Sequence, residues 1–542
     1  METKICKHCQ STFEVTDDDL AFYDKVSPTF NWKKYSIPSP NLCPDCRMQR
    51  RIAFRNERSL YRRKCDASGQ EIISIYSPDK SYIVYDQKIR RSDQFDPLAY
   101  SQDFDFTKTF AQQFDELNKR VPKLSIQNIN SENCEYTNYS ANNKNCYLGV
   151  GMSEDQDCYF CYRVFHSDNI VDGYDLKNCS HCYECLESKT LHDCVHCQNC
   201  YESNALMFCK NCTNCESCIW CVNLINKKYC IFNKQYSKEE YEKKSATIDF
   251  KSLQKEFTGF KLKFPVKHLQ NINVQNCVGD LLMNCKNCQD SYVLKDSENC
   301  KYSMIGENNV NYQDSNFWDN CILQYDSSNL EANNTGAFGN LVRYVNDGYY
   351  LSSCFHSKDC FGCVWLKQHQ YCLLNKQYSK ADYETLVPQI IEHMTKTGER
   401  WEFFPSSLSP FGYNETVAQE YFPLTKEEAL AKWFKRSDYE APFPKGDGKD
   451  VVICEVSKKP FRLIPQEIEF YKKHNLPLPT KHPDVRHAER MKLRNPRKLF
   501  ERKCAKCWID IKTSYAPDPD VSGASRPEIV YCEACYNKEI YW

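Results

Sequence analysis

The sequence lacks several features that would point to a familiar class of enzyme or membrane protein. Only 16 of the 542 residues are glycine, and there is no Walker loop, dinucleotide-binding glycine fingerprint or H-E-x-x-H motif. No run of about 18 apolar residues occurs, and the opening METKICKHCQ has no basic region followed by an apolar stretch. We therefore expect a cytoplasmic protein that does not enter a membrane.

Neither sign of charge predominates, because 71 Lys and Arg are balanced by 72 Asp and Glu. This balance excludes a uniformly basic nucleic-acid binder and an acidic solvating tail. The local distribution is uneven: residues 1–64 and 450–542 each carry a net charge of +5, whereas 125–245 and 270–385 each carry −5. Any electrostatic role must come from this asymmetry.

Two internal repeats organise the chain. Residues 6–25 align with 454–473, and 55–65 with 494–504, so each end carries a copy of one module. Residues 229–244 recur as 371–386, and each copy closes a Cys-rich segment with a capping-box pattern that starts a helix. We predict an N-terminal zinc-binding module (1–100), a first Cys-rich segment with a helical cap (125–245), a linker (246–270), a second such segment (271–386), a helical and Pro-rich joining region (387–450) and a C-terminal zinc-ribbon module (451–542).

Cysteine is abundant, at 35 residues, and its spacing is regular. All 16 cysteines from Cys134 to Cys230 lie on one phase of a three-residue period, as do eight of the nine from Cys277 to Cys372, with Cys277 the exception. Neither the helical period of 3.6 nor the strand period of 2 fits this pattern. Small side chains at a fixed spacing predict the stacked coils of a narrow β-solenoid, and a 15-residue unit repeats from Cys179 to Leu206.

The predicted fold is therefore mainly β, with two Cys-rich β-solenoid segments, helical caps and duplicated terminal modules of zinc-ribbon or treble-clef type. Three states remain open for the solenoid thiols. They could form a reduced core, since free cysteine behaves as a small hydrophobe, they could bind metal as repeated C-x-x-C pairs, or they could form disulfide ladders.

Each terminal module keeps one complete set of four thiolates, and we predict about two structural zinc ions. The predicted ligands are Cys6, Cys9, Cys43 and Cys46 at the N-terminus and Cys504, Cys507, Cys532 and Cys535 at the C-terminus. Four thiolates close the coordination sphere, so both sites are expected to be structural rather than catalytic. Each module has lost the other site: the equivalent positions are Cys454, Ser457, His482 and Val485 in one module and Cys65, Ser68, Asp86 and Ile89 in the other.

A basic stripe follows the metal ligands in both modules, with arginines spaced to share one helical face. One interpretation is that these residues bind the phosphates of RNA, DNA or a ribonucleoprotein. The other is that they dock on the acidic flank of the chain's own solenoid or on the other terminal module. The residues are Arg47, Arg51, Arg55, Arg58, Arg63 and Lys64, and Arg486, Arg490, Arg494, Arg497, Arg502 and Lys503.

The leading hypothesis is a non-enzymatic zinc-binding interaction or scaffold protein, with a nucleic acid, a ribonucleoprotein or a protein as its partner. A second hypothesis is intracellular buffering of metal or thiols by the cysteine lattice. A third is a β-solenoid enzyme acting on a polymer, although Asp and Glu form no paired, spaced cluster. The sequence identifies no catalytic residue and no small-molecule substrate.

The motifs CPDCR, SPFGYNETVAQEYFPLTKEEAL, NLPLP, RNPRKLFERKCAKC and RPEIVYCEACYNKEIY resemble a family of uncharacterised Cys-rich, zinc-ribbon-ended proteins of uncultured small-genome bacteria. The resemblance covers the whole chain and implies no known activity. Members of that family often carry further cysteine pairs near the positions of Ser68, Asp86 and Ile89, and this chain does not.

Overall fold

The computed structural model describes residues 1–177, 203–248, 256–317, 319–399, 401–443, 451–473, 477–517 and 527–541. The chain divides into two compact units, each assembled from two separate stretches of sequence. The first unit is Met1–Ser125 with Gln270–Tyr439, and the second unit is Ile126–Leu269 with Glu440–Trp542. The N-terminal module therefore belongs with the second Cys-rich segment, and the C-terminal module with the first.

Both Cys-rich segments are β-solenoids over the residues that the structure describes, so the prediction of a mainly β solenoid fold is confirmed. Parallel pairing joins residues twelve positions apart, as in Cys218 with Cys230 and Cys360 with Cys372. A left-handed backbone conformation recurs at every third residue, one position before each inward-facing side chain. One coil therefore consists of four triplets with a corner in each.

The corners explain the abundance of asparagine and aspartate. Positive φ is costly for most L-residues but is tolerated by Asn and Asp. Asparagines at these corners also form ladders: the side-chain amide of Asn133 donates to Asn145 (2.9 Å), and that of Asn145 donates to Asp157 (3.0 Å). Each ladder gives the strained corner a hydrogen bond to the next coil.

The inward positions explain the cysteine lattice. The Cys158 thiol donates to the carbonyl oxygens of Gln156 (3.2 Å) and Ser167 (3.5 Å), one within its own coil and one in the next. The Ser303 hydroxyl makes the same two contacts, with Lys301 and Tyr312. A narrow core needs side chains that are small and also satisfy inward-facing backbone groups. Cysteine and serine do both, and every cysteine that the structure describes is a free thiol.

Cys277 leaves the common phase because the first coil of its solenoid is one residue shorter. The backbone N–H of Cys288 donates to the Cys277 sulfur (3.4 Å) across eleven residues instead of twelve. Cys277 thus stacks on the next coil despite its different phase. The 15-residue unit predicted from Cys179 to Leu206 lies largely outside the described residues, and the coils that the structure describes have the shorter length given above.

The two terminal modules share most of their element order, which reflects their sequence repeat, but within the described residues the second hairpin of the N-terminal module has no counterpart in the C-terminal module. The N-terminal module has hairpins Glu2–Ile5 with Thr12–Val15, Thr29–Phe30 with Lys33–Lys34 and Tyr61–Lys64 with Glu71–Ser74, helices Asp17–Val26, Pro44–Ile52 and Gln87–Arg91, and strand Val84–Tyr85 paired with Lys123–Leu124. The C-terminal module has hairpins Val451–Ile453 with Pro460–Arg462 and Phe500–Lys503 with Asp510–Thr513, helices Pro465–Lys473, Pro483–Leu493 and Glu533–Ile540, and strand Ile529–Tyr531 paired with Pro265–Lys267.

The remaining elements belong to the solenoids and the segments that join them. The first solenoid has strands Asn128–Ile129, Ser140–Ala141, Tyr162–Phe165, Tyr174–Lys177, Asn204–Met207, Glu216–Ile219, Lys228–Ile231 and Lys234–Gln235, followed by helix Lys238–Ser245 and 3-10 turn Lys261–Lys263. The second has strands Gly279–Met283, Ser291–Lys295, Glu298–Lys301, Met304–Glu307, Val310–Asn316, Ile322–Glu331, Asn334–Ala337, Asn340–Arg343, Asn346–Tyr349, Lys358–Phe361, Gln370–Leu373 and Lys376–Gln377. Further helical segments are Pro97–Tyr100, Phe110–Arg120, Lys380–Thr397, Ser406–Leu408, Tyr413–Glu415, Val417–Tyr421 and Lys426–Ala431.

Among the helices of the described ranges, none combines the length and apolar character needed to cross a bilayer.

Candidate metal centres and buried arginine helices

The first metal centre lies where a hairpin meets a helix. Cys6 and Cys9 occupy the turn after strand Glu2–Ile5, and Cys43 and Cys46 lie at the start of helix Pro44–Ile52, which has proline at its first position. The four sulfurs lie within 4.8 Å of one another, and those of Cys9 and Cys43 are 3.6 Å apart. We call this helix arginine helix 1, because it also carries the basic stripe.

The second metal centre repeats this geometry further along the C-terminal module. Cys504 and Cys507 lie on the turn between strands Phe500–Lys503 and Asp510–Thr513, and Cys532 and Cys535 begin helix Glu533–Ile540. The Cys507 and Cys532 sulfurs are 3.7 Å apart. Ligands about 2.3 Å from a tetrahedral zinc ion would be separated by about 3.8 Å. Both four-cysteine groups could therefore hold a metal ion.

In each centre the surroundings favour the thiolate, which is the form that binds metal, at one cysteine, while the pKa of Cys46 in the first centre and those of Cys532 and Cys535 in the second are raised. A hydrogen bond from the Cys46 thiol lowers the pKa of Cys43 to about 5. Burial by itself would raise the pKa of Cys504, but backbone N–H groups, first that of Cys507 and then that of Cys532, outweigh burial and lower the pKa to about 6.

At the two positions where a module has lost its second four-cysteine site, the backbone turn is still present although only one of the four cysteines remains. The backbone N–H of Asp86 donates to the Cys65 sulfur (3.2 Å), and that of Ser457 donates to the Cys454 sulfur (3.3 Å). In all four turns the residue four positions after the first cysteine has positive φ; these residues are Gln10, Gly69, Lys458 and Trp508. The turn is thus a property of the chain rather than of the metal. Across the described ranges, the solenoid thiols form no group of three or more metal ligands.

Arginine helix 1 points its basic face into the second solenoid. The side chains of Arg47 and Arg51 are 2% and 0% exposed. Arg47 pairs with Asp314 (2.7 Å), and Arg51 pairs with Asp326 (2.7 Å) and more distantly with Asp314 (3.7 Å). Arg50, beside them, pairs with Asp326 at 3.2 Å. Asp314 and Asp326 occupy corners of successive coils, so the solenoid repeat sets their separation.

Further contacts surround these pairs in the first unit. The Arg51 Nε donates to Asn316 (2.9 Å), and Arg55 contacts Asn329 and Glu57. Burial raises the pKa of Asp314 although Arg47 and Arg51 oppose that shift, whereas the pKa of Arg47 is held well above its usual value. Asp314 is thus a carboxylate whose ionised form depends on the two guanidinium groups.

Helix Pro483–Leu493, which we call arginine helix 2, makes the corresponding contact in the second unit. Arg486 and Arg490 both pair with Asp172, at 2.5 and 2.8 Å, and Arg486 also pairs with Glu467 at 2.9 Å. The Tyr471 hydroxyl donates to Asp172 at 3.3 Å. These side chains are almost completely buried.

The two contacts use equivalent residues. Arg486 repeats Arg47 in the module alignment, and Asp172 stands at the position of Asp314 in the solenoid alignment. Each leading arginine also lies over an aromatic ring, Arg47 over Tyr302 (5.6 Å to its centre) and Arg486 over Phe160 (4.7 Å). Because Tyr302 and Phe160 are equivalent as well, one docking contact has been built twice in the chain.

That the stripe binds nucleic acid stays a prediction, and the buried members of the stripe form ion pairs within the chain. A guanidinium that is buried and paired with a carboxylate cannot reach a phosphate until that pair is broken. The buried arginines are Arg47, Arg51, Arg55, Arg486 and Arg490; Arg58, Arg63, Arg494, Arg497 and Arg502 are half-buried, and Lys64 and Lys503 are exposed. The buried arginines dock on the solenoid of their own unit, and the role of the half-buried and exposed members stays a prediction.

The acidic partners of the arginines were not among the candidate residues. Asp172 and Asp314 occupy the same position of the internal repeat, and both lie at corners where the cysteine period places a polar residue. Their repetition was the signal that could have identified them. Glu467 could have been found in the same way, since Asp19 is its equivalent in the N-terminal module.

Comparison with known proteins identifies no relative: no family model matches the sequence, and no curated protein is significantly similar to it. The resemblance to zinc-ribbon-ended bacterial proteins stays a prediction. The two metal centres and the buried arginines are therefore the basis for inferring a function.

Proposed function

We propose that the protein is a non-enzymatic interaction scaffold that depends on zinc. In this proposal, each four-cysteine group binds one structural zinc ion in a zinc-ribbon or treble-clef module. That module holds an arginine helix against a β-solenoid and so presents the solenoid surface in a fixed orientation.

The observation that carries the proposal is the duplicated docking contact, in which each metal-binding module inserts buried arginines against a solenoid aspartate. Breaking a buried ion pair by removing one partner typically costs about 3–5 kcal/mol, so such a contact resists rearrangement. The four-thiolate chemistry supports a structural ion, because a catalytic zinc keeps a water molecule in its coordination sphere. Both features suit a rigid support.

The outer solenoid surface supports an interaction role. Its corner asparagines form exposed, regularly spaced ladders such as Asn276 to Asn287 (3.0 Å) and Asn287 to Asn299 (3.1 Å). Repeated coils present extended surfaces that solenoid proteins commonly use for binding.

The lost metal sites provide matched controls for a test. We would measure zinc per chain in the purified full-length protein by mass spectrometry of the metal. We expect about two ions in the wild type, and one fewer in Cys6→Ser or Cys504→Ser. The equivalent changes Cys454→Ser and Cys65→Ser remove a cysteine from the same turn of the other module and should leave the zinc content unchanged.

Two outcomes would contradict the proposal. Many more than two ions per chain, released without loss of folded structure, would favour metal buffering by the solenoid thiols. A metal-free protein whose thermal stability does not change with a chelator would remove the role of zinc.

A further inference from the structure

The first coil of each solenoid carries a thiol that differs from those deeper in the core. Cys134 and Cys277 are partly exposed, whereas all other solenoid cysteines that the structure describes are buried. The two residues are counterparts in the internal repeat, allowing for the shorter first coil that contains Cys277. The same arrangement therefore occurs in both units.

Each of these thiols stacks directly on a buried cysteine of the next coil. The backbone N–H of Cys146 donates to the Cys134 sulfur at 3.3 Å, and that of Cys288 donates to the Cys277 sulfur at 3.4 Å. Cys146 and Cys288 are also equivalent in the repeat. The partly exposed sulfur is thus held against the coil that contains its buried neighbour.

The spacing of the coils suits a disulfide at this end of the solenoid. Neighbouring strands lie about 4.8 Å apart, within the range of about 4.4–6.8 Å between the Cα atoms of disulfide-linked cysteines. A disulfide also needs the Cβ atoms to approach more closely than in-register strands place them. In the backbone pairing of the described residues, the first coil is joined to the coil that follows it, whereas an inner coil is held from both sides, so the first coil can make that adjustment more easily.

We propose that Cys134 with Cys146, and Cys277 with Cys288, are oxidation sites at which a hydroperoxide forms a reversible disulfide between the first two coils. The exposed cysteine loses its proton and its sulfur attacks one peroxide oxygen. The O–O bond breaks, a sulfenic acid forms, and the leaving hydroxide takes up the released proton as the first water. The thiol of the buried cysteine then attacks that sulfur, the S–O bond breaks, and the second water leaves. Two thiols are oxidised and hydrogen peroxide is reduced to two water molecules.

The first pair should react before the second. The hydrogen bond between the two thiols lowers the pKa of Cys146 to about 4 and raises that of Cys134, so the buried sulfur holds the thiolate and can take up the proton of the exposed thiol. Burial raises the pKa of Cys277, so the second pair holds less thiolate. Exposure gives the peroxide access to both pairs.

A disulfide at either site would hold the first coil of the solenoid against the second coil. The first coil is an edge strand, and unpaired edges fray or add foreign strands. Cross-linking the first coil to the second would hold this edge closed, and reduction would release it.

The test treats zinc-loaded, full-length protein with increasing hydrogen peroxide, blocks the remaining thiols and maps peptides by mass spectrometry. We expect a Cys134–Cys146 cross-link first and a Cys277–Cys288 cross-link second, both reversed by dithiothreitol. Cys134→Ser and Cys277→Ser should each abolish one cross-link. Cys372→Ser, in the buried stacked pair Cys360 and Cys372, should leave both unchanged.

Hydrogen exchange provides a second measurement, with at least tenfold slower exchange expected in residues 127–138 after oxidation. The proposal is overturned if the folded protein forms neither cross-link, or if Cys360 and Cys372 cross-link as readily. Zinc release is measured in the same experiment and reports oxidation of the terminal metal ligands. The cross-links report the solenoid cysteines. Failure of the scaffold proposal can therefore be distinguished from failure of this proposal.

Discussion

The two units make the same docking contact but place their metal centres differently. In the first unit Cys43 and Cys46 lie at the start of arginine helix 1, so the metal ligands and Arg47 share one helix. In the second unit the centre lies at helix Glu533–Ile540, and arginine helix 2 begins after His482. The contact with the solenoid has therefore been kept while the metal site changed position. The comparison indicates that the arginines make the contact and that a metal ion in either four-cysteine group would support only its own part of the module.

The units also differ in the carboxylate at equivalent positions of the first helix of each module, Asp19 and Glu467, of which Glu467 pairs with its leading arginine. In the first unit burial would raise the pKa of Asp19, but hydrogen bonds, chiefly from Lys301 at 2.7 Å, outweigh burial and lower it. In the second unit burial raises the pKa of Glu467 to about 7, and Asp172 adds to the rise while Arg486 opposes it. Equivalent positions thus respond to pH in opposite directions.

The largest effect should come from removing the aspartate of either docking contact. Asp314→Ala or Asp172→Ala leaves a buried arginine without its partner, and each should lower the free energy of unfolding by about 3–5 kcal/mol. Urea unfolding of the purified protein measures the change. Asp510→Ala, which removes only the exposed pair with Lys503, should cost less than about 1 kcal/mol. If all three changes lowered the free energy of unfolding equally, the buried ion pairs would contribute no more to stability than the exposed pair.

Removing metal should change hydrogen exchange more in arginine helix 1 than in arginine helix 2. With a chelator, we expect hydrogen exchange in arginine helix 1 to accelerate about tenfold or more, equivalent to about 1.4 kcal/mol, because its own residues bind the metal. Arginine helix 2 should change less, while helix Glu533–Ile540 loses protection. Equal acceleration in both arginine helices would contradict the view that the metal supports each module locally.

The pH dependence should differ between the units. The folded state holds a proton on Glu467 that the unfolded chain releases above its ordinary pKa of 4.5, so this group's contribution to stability falls as pH rises from about 4.5 to about 7. The loss is on the order of 1–3 kcal/mol. Asp19 acts oppositely: its contribution is present above pH 3.8 and is lost as pH falls through its lowered pKa.

Glu467→Gln provides the check on this prediction. The variant should remove the decline between pH 4.5 and 7 in unfolding experiments across that range. Asp19→Asn should leave the decline in place. A decline that persists in Glu467→Gln would assign it to another group.

The smallest effect concerns the exposed lysines at equivalent hairpin positions, Lys64 and Lys503. Replacing both with alanine should change the free energy of unfolding by less than about 1 kcal/mol. If these residues bind nucleic acid, fluorescence anisotropy with single-stranded RNA at about 50 and 200 mM salt should show weaker binding and a salt slope reduced by about two. Unchanged affinity and slope would exclude both lysines from such a site.

Much of the local architecture could be predicted from spacing. The three-residue period of the cysteines predicted the solenoid, and the C-x-x-C pairs predicted both four-cysteine groups, because coils and turns are built by residues close in sequence. The twelve-residue coil and the shorter first coil could not be predicted in the same way. A three-residue period is compatible with several coil lengths, and the missing residue is revealed by eleven-residue pairings in the first coil, such as Cys277 with Cys288 and Gln275 with Lys286.

The sequence by itself determined the coil corners, the inward thiols and the two metal-binding turns, since each depends on short-range backbone geometry. It also supplied the complementary charges, Arg47 and Arg486 in the modules and Asp314 and Asp172 in the solenoids. It did not determine which module meets which solenoid, because the repeats give each arginine two equivalent aspartates. Only the tertiary structure decides that Arg47 reaches Asp314 across 267 residues of chain, burying both charges where each neutralises the other.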